Sequence, residues 1–125
     1  MKRITLGVCA LLLHLIFTGG AAAQQQPVPG FMKPEVLAAA QDIGMNDEQL
    51  TQFRAAVGSF VDQRMKTFQS LMRRNNQTGI PRKMKSRTNS LLKKMDKEMA
   101  TFLTEEQMPA YENYRETLKK NLQGL

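Results

Sequence analysis

The sequence predicts an all-α protein: an elongated antiparallel helical hairpin with a short helix on each side. Three observations carry this. Apolar residues recur at three- and four-residue steps over two long stretches. One clear turn, Asn75-Asn76-Gln77-Thr78-Gly79-Ile80-Pro81, separates them. Two matching helix starts, Met45-Asn46-Asp47-Glu48-Gln49-Leu50 and Leu103-Thr104-Glu105-Glu106-Gln107-Met108, open the first long helix and the last one.

Residues 1–23 read as a secretory signal peptide. Lys2 and Arg3 give the basic start, Leu6 to Phe17 the apolar stretch, and Ala21-Ala22-Ala23 a small-residue cleavage site before Gln24. The protein is therefore expected in the periplasm. The single Cys, Cys9, and the single His, His14, both fall inside this segment. The remainder, residues 24–125, has no thiol nucleophile, imidazole base, disulfide or ordinary zinc ligand set. It also has no Gly-rich phosphate loop of the nucleotide-binding kind. No catalytic constellation emerges, so the protein is read as a non-enzyme without a cofactor.

Residues 24–32 are polar and rich in Pro and Gly, and read as a flexible arm before a helical domain over 33–125. Pro34 suits the first helical position and Gly44 a left-handed stop, with Val36, Leu37, Ala40 and Ile43 as one apolar side. Asn46 and Gln49 then form a capping box: each side chain meets the other residue's backbone N–H. The first long helix is predicted from Asn46 to about Arg74, with Leu50, Phe53, Val57, Phe60, Val61, Met65, Phe68 and Met72 on its apolar stripe. Gly58 within it suggests close helix packing, because a mid-helix Gly otherwise costs about 1 kcal/mol. The second long helix is predicted from Pro81 or Arg82 to Phe102, with Met84, Thr88, Leu91, Leu92, Met95 and Met99 inward. Thr104 and Gln107 repeat the capping box, and Leu103 with Met108 the hydrophobic staple. The last helix is predicted from there to Leu122, and Pro109 can shift its start.

Charge is distributed unevenly. The formal net charge is +7, or +5 without Lys2 and Arg3. Between Arg64 and Lys97 the only acid is Asp96, against Arg64, Lys66, Arg73, Arg74, Arg82, Lys83, Lys85, Arg87, Lys93, Lys94 and Lys97. A solvated helix face normally mixes signs, because like charges one turn apart repel. The uncompensated stretch points to a partner that supplies negative charge. Export argues against nucleic acid, as does the lack of aromatics beyond Phe68 for base stacking. That leaves an anionic membrane surface, unfolded or acidic periplasmic proteins, or one acidic sensor-kinase domain. The eight methionines after residue 23 suit core filling or adaptable contacts. Thioether binding of copper(I), with Met95 and Met99 one turn apart, is the alternative, although no dense Met cluster exists.

Leu103-Thr104-Glu105-Glu106-Gln107 reads Leu-Thr-x-x-Gln, and Met45 to Gln49 is a looser copy with Met for Leu and Asn for Thr. Paired motifs in a small, exported, helical and basic chain resemble the LTxxQ family of periplasmic proteins, which includes Spy-like chaperones and CpxP-like stress regulators. The resemblance covers roughly residues 45–122. It implies two hairpins paired antiparallel as a thin, cradle-like homodimer that holds unfolded clients without ATP. The cationic residues from Arg64 to Lys97 would then attract clients, and Phe60, Met65, Phe68, Met72 and Met84 would supply adaptable contacts. A CpxP-like regulator that binds one acidic sensor domain, or a structural protein that binds anionic lipid, are the alternatives.

Overall fold

A computed structural model describes residues 28–74 and 78–122. The predicted signal segment, the start of the arm and Asn75, Asn76 and Gln77 of the turn lie outside the described residues. Among those described there are four α-helices and no strand: α1 (Pro34–Gln41), α2 (Asp47–Arg73), α3 (Ile80–Met99) and α4 (Met108–Leu122).

The first helix ends as its sequence dictates. Pro34 sits in its opening turn and Gly44 takes φ +69° just past its end, a conformation that Gly adopts without Cβ strain. The capping box of α2 is complete. Gln49 N donates to Asn46 Oδ1 at 2.8 Å, and Asn46 N donates to Gln49 Oε1 at 3.2 Å. Asp47 and Glu48 occupy the first turn, where carboxylates suit the positive end of the helix.

The second box does not start its helix. Thr104 N does donate to Gln107 Oε1 at 3.0 Å, but Gln107 N bonds to the Thr104 carbonyl at 3.0 Å rather than to its hydroxyl. Residues 105–107 form a turn, and α4 begins at Met108. Pro109 is the reason. In a helix that began at Glu105, its ring would press on the Glu105 carbonyl, and it has no N–H to contribute.

The predicted arm also departs from expectation. Gly30–Met32 forms one 3-10 turn that packs on α4 and α1. A Cβ on Gly30 would strike the Asn121 carbonyl oxygen, so only glycine lets the backbone come this close to the end of α4.

The helices share one core. α2 packs along α3, and α1 packs on α4. Val36 and Ala39 of α1, Ile43 in the turn after it, Phe53, Ala56 and Phe60 of α2, Leu92, Met95 and Met99 of α3, and Tyr111, Tyr114 and Leu118 of α4 are all buried in it. The Phe53 and Tyr114 rings meet edge to face, with centroids 5.0 Å apart.

Polar bonds tie α4 to both long helices. Tyr111 Oη donates to Asp96 Oδ1 at 2.7 Å, and Arg115 Nη1 to Asp96 Oδ2 at 2.9 Å. Burial first, and then the Asp96 carboxylate, push the Tyr111 hydroxyl pKa far above its usual value. Burial alone raises that of Tyr114.

The two motif copies meet each other. Gln49 Nε2 donates to Gln107 Oε1 at 2.8 Å, and Gln107 Nε2 donates to Gln49 Oε1 at 3.1 Å. Gln49 Nε2 also reaches the Phe102 carbonyl at 2.9 Å, and Gln107 Nε2 the Gly44 carbonyl at 3.2 Å. Phe102 and Gly44 stand at the same place, two residues ahead of Thr104 and Asn46. Each amide thus makes four bonds, the full capacity of a glutamine side chain. The arrangement is pseudo-symmetric: each Gln closes its own segment and reaches across to the other.

Candidate functional site

The coverage of α2 explains where an interaction surface can be. The start of α4 lies beside Asp96, its middle beside Phe53, and its last residue, Leu122, accepts from Arg64 Nη2 at 3.2 Å. Arg64 Nε also donates to Thr88 Oγ1 at 3.2 Å, so this guanidinium joins α2, α3 and the end of α4. Beyond Arg64 nothing among the described residues fully buries the apolar stripe of α2. Met65 is 57% exposed, and Phe68 and Met72 are each 42% exposed.

Of the five apolar residues expected to contact a client, these three are at the surface. Phe60 and Met84 are not: they are 2% and 5% exposed, so neither offers free area to a partner. Met95 and Met99 are likewise core residues at 2% and 0%.

The eleven cations lie mainly outside. Arg64 is half-buried, and burial lowers its pKa. The other ten are exposed. Among the described residues Lys66 alone of the eleven is in an ion pair, with Asp62 at 2.8 Å. That bond is the main cause that raises its pKa, although the pair is open to solvent. Lys94 reaches the neutral Gln63 Oε1 at 3.4 Å. Asp96, the single acid within the stretch, is held by Tyr111 and Arg115 and neutralises none of the eleven. Among the described residues the carboxylates therefore leave this surface almost wholly unpaired. Lys66, Gln69, Ser70, Arg73 and Arg74 line a shallow depression on this end of α2.

Two concavities were not foreseen. An apolar groove of about 830 Å³ lies between the N-terminal segment and α2, with Phe31, Met32, Leu37, Val57, Val61 and Met65 among its walls. Reading residues 24–32 as a free arm concealed it, since Phe31 and Met32 form one side. Gly58 also lines it. A Cβ there would meet nothing within 4 Å, so the close helix packing expected at Gly58 is not made among the described residues. The second is a cavity of about 390 Å³ between α2, α3 and α4, lined by Arg64, Arg82, Lys85 and Lys119. Lys119 lies outside the basic stretch from Arg64 to Lys97. Nothing in linear spacing brings it to Arg64.

Among the described residues no group of three or more His, Cys, Asp or Glu could hold a metal ion. No described helix is long and apolar enough to cross a membrane. Comparison with protein-family models, with curated proteins and with solved structures finds no match to this chain.

Proposed function

We propose that this protein is a periplasmic, ATP-independent chaperone that holds unfolded or acidic proteins on the far half of α2 and the cationic face of α3. In this reading α2 and α3 form an elongated antiparallel hairpin, and two chains pair as a cradle-like dimer. The observation that carries the reading is a juxtaposition. Met65, Phe68 and Met72 stand exposed on the same turns of α2 as Lys66 and Arg73, with Arg74 just past its end, and among the described residues no carboxylate pairs with the two arginines.

The physical steps follow from that juxtaposition. Unpaired cations speed encounter with negatively charged chains. Flexible thioethers and one aromatic ring then make weak contacts that do not dictate the client's shape. A client that folds withdraws its apolar surface and leaves, so no fuel is consumed.

The test is aggregation of a reduced, denatured acidic protein with stoichiometric amounts of this one, at low and at high salt. Suppression that weakens with salt, and is lost in a Phe68→Ser/Met72→Ser variant, is the expected result. No suppression at low salt refutes the reading. Tight binding to a single acidic sensor domain, with indifference to denatured chains, would make the protein a dedicated regulator instead.

A further inference from the structure

Arg64 is a half-buried cation without an anion. Its two bonds go to neutral acceptors, the Thr88 hydroxyl and the Leu122 carbonyl. Partial burial of a charge is unfavourable unless an opposite charge meets it. None does among the described residues, and burial accordingly lowers the pKa of this guanidinium.

The cavity that Arg64 faces has the same deficit. Arg82 and Lys85 of α3 and Lys119 of α4 line it, together with Thr88, Asn89 and the apolar Pro81, Met84 and Leu122. Among the described residues no carboxylate lines it. Three helices thus bring four cations to about 390 Å³ of space, and their mutual repulsion is uncompensated. The neighbouring start of α3 adds to the imbalance. Its N-cap is Gly79 without a side-chain bond, and its first turn holds no acid. Arg82 and Lys83 stand there instead, at the positive end of the helix dipole. The start of α2, with Asn46, Asp47 and Glu48, has the opposite and favourable arrangement.

We propose that the cavity between Arg64, Arg82, Lys85 and Lys119 is a binding site for the phosphoryl group of a phosphomonoester, either free or as a lipid headgroup. A phosphomonoester is dianionic near neutral pH, with acceptor oxygens on several sides. Four donors that converge from three helices suit such a group better than a single planar carboxylate. The guanidinium of Arg64 is already held by two bonds, so little ordering remains to be done on binding. The apolar rim of Met84, Pro81 and Leu122 leaves room for the ester's carbon skeleton. Arg64, Arg82 and Lys85 are shared with the cationic surface proposed to attract clients, but a phosphomonoester can bind here whether or not unfolded chains are held.

The test titrates glycerol phosphate into the purified protein by calorimetry at about pH 5.5 and about pH 7.5, either side of the ester's second pKa near 6. Saturable one-to-one binding is expected, about fourfold tighter at the higher pH because the dianion fraction rises by that factor. Arg82→Gln and Lys119→Gln, both outside the core, are each expected to weaken it about three- to tenfold. Lys97→Gln removes the same charge away from the cavity and is expected to change affinity less than about twofold. Vesicles with and without phosphatidic acid separate the two sources. Vesicle binding lost in Arg82→Gln assigns the headgroup, whereas glycerol phosphate binding alone assigns the free ester, and both uphold the site. Two results overturn it: no saturable binding, or equal loss in all three variants.

Discussion

Removal of one glutamine from the paired motifs offers the sharpest test of how this fold is fastened. In Gln107→Ala four hydrogen bonds disappear. Two of them, from Thr104 N and to the Gly44 carbonyl, lie at exposed positions where water replaces the amide at little cost. The other two are the part-buried reciprocal bonds with Gln49 at 2.8 and 3.1 Å. A net value of about 0.5–1.5 kcal/mol per bond puts the loss at roughly 1–3 kcal/mol. For a domain of this size that lowers the melting temperature by about 4–24 °C. Gln49→Ala loses the same pair and also its part-buried bond to the Phe102 carbonyl, so it is expected to cost somewhat more. The decisive quantity is the coupling. Urea unfolding of both single variants and the double variant, followed by helix content at fixed protein concentration, should give a coupling of about 1 kcal/mol. Strict additivity, within about 0.3 kcal/mol, would show that each glutamine merely caps its own segment and that the cross-bonds add nothing.

Four further outcomes follow from other parts of the molecule. Gly30→Ala forces a Cβ onto the Asn121 carbonyl oxygen, so it is expected to cost about 1–3 kcal/mol and to free Gly30–Met32 for proteolysis. Gly58→Ala meets open space, so it is expected to stabilise the protein by about 0.5–1 kcal/mol in thermal unfolding; destabilisation, or a change in oligomeric mass, would show that another chain packs there. Tyr111→Phe removes the hydroxyl that Asp96 accepts from and is expected to cost about 1–2 kcal/mol, with Arg115 still paired to Asp96. Tyr111 and Tyr114 both have raised folded-state pKa values, so their neutral forms contribute stability that is complete below the unfolded value of about 10 and is lost as pH climbs above it. Tyrosinate absorbance should therefore rise together with loss of helix, and a rise while the helices persist would contradict the burial of these rings.

Local chemistry made much of this fold legible in advance. Pro34, Gly44 and the Asn46–Gln49 pair place the ends of α1 and the start of α2, because each acts within a few residues of itself. The same grammar misplaced the start of α4, since Thr104 and Gln107 match a capping box as well as Asn46 and Gln49 do. Pro109 decides the matter through a steric contact that the box does not encode. Spacing could not divide the α2 stripe into buried and exposed parts either. Phe60 and Phe68 sit on comparable positions of one helix, and only the reach of α4, fifteen residues long against twenty-seven for α2, separates them. The cationic cavity and the Gln49–Gln107 pairing were hidden for a similar reason. Each joins residues about 55 or more positions apart, and no periodic pattern records such a meeting.

The short reach of α4 has a consequence for motion. Amide hydrogens of α2 up to Phe60 sit over the shared core and should exchange with solvent only when most of the molecule opens. Those from Gln63 to Arg73 belong to turns with no buried residue, so fraying that starts at the far tip suffices to release them. One continuous helix thus contains a firmly seated stem and a breathing end. The loose end is the one that carries Phe68 and Met72, so in the proposed function the grip on a guest and the ability to let it go would reside in the same few turns.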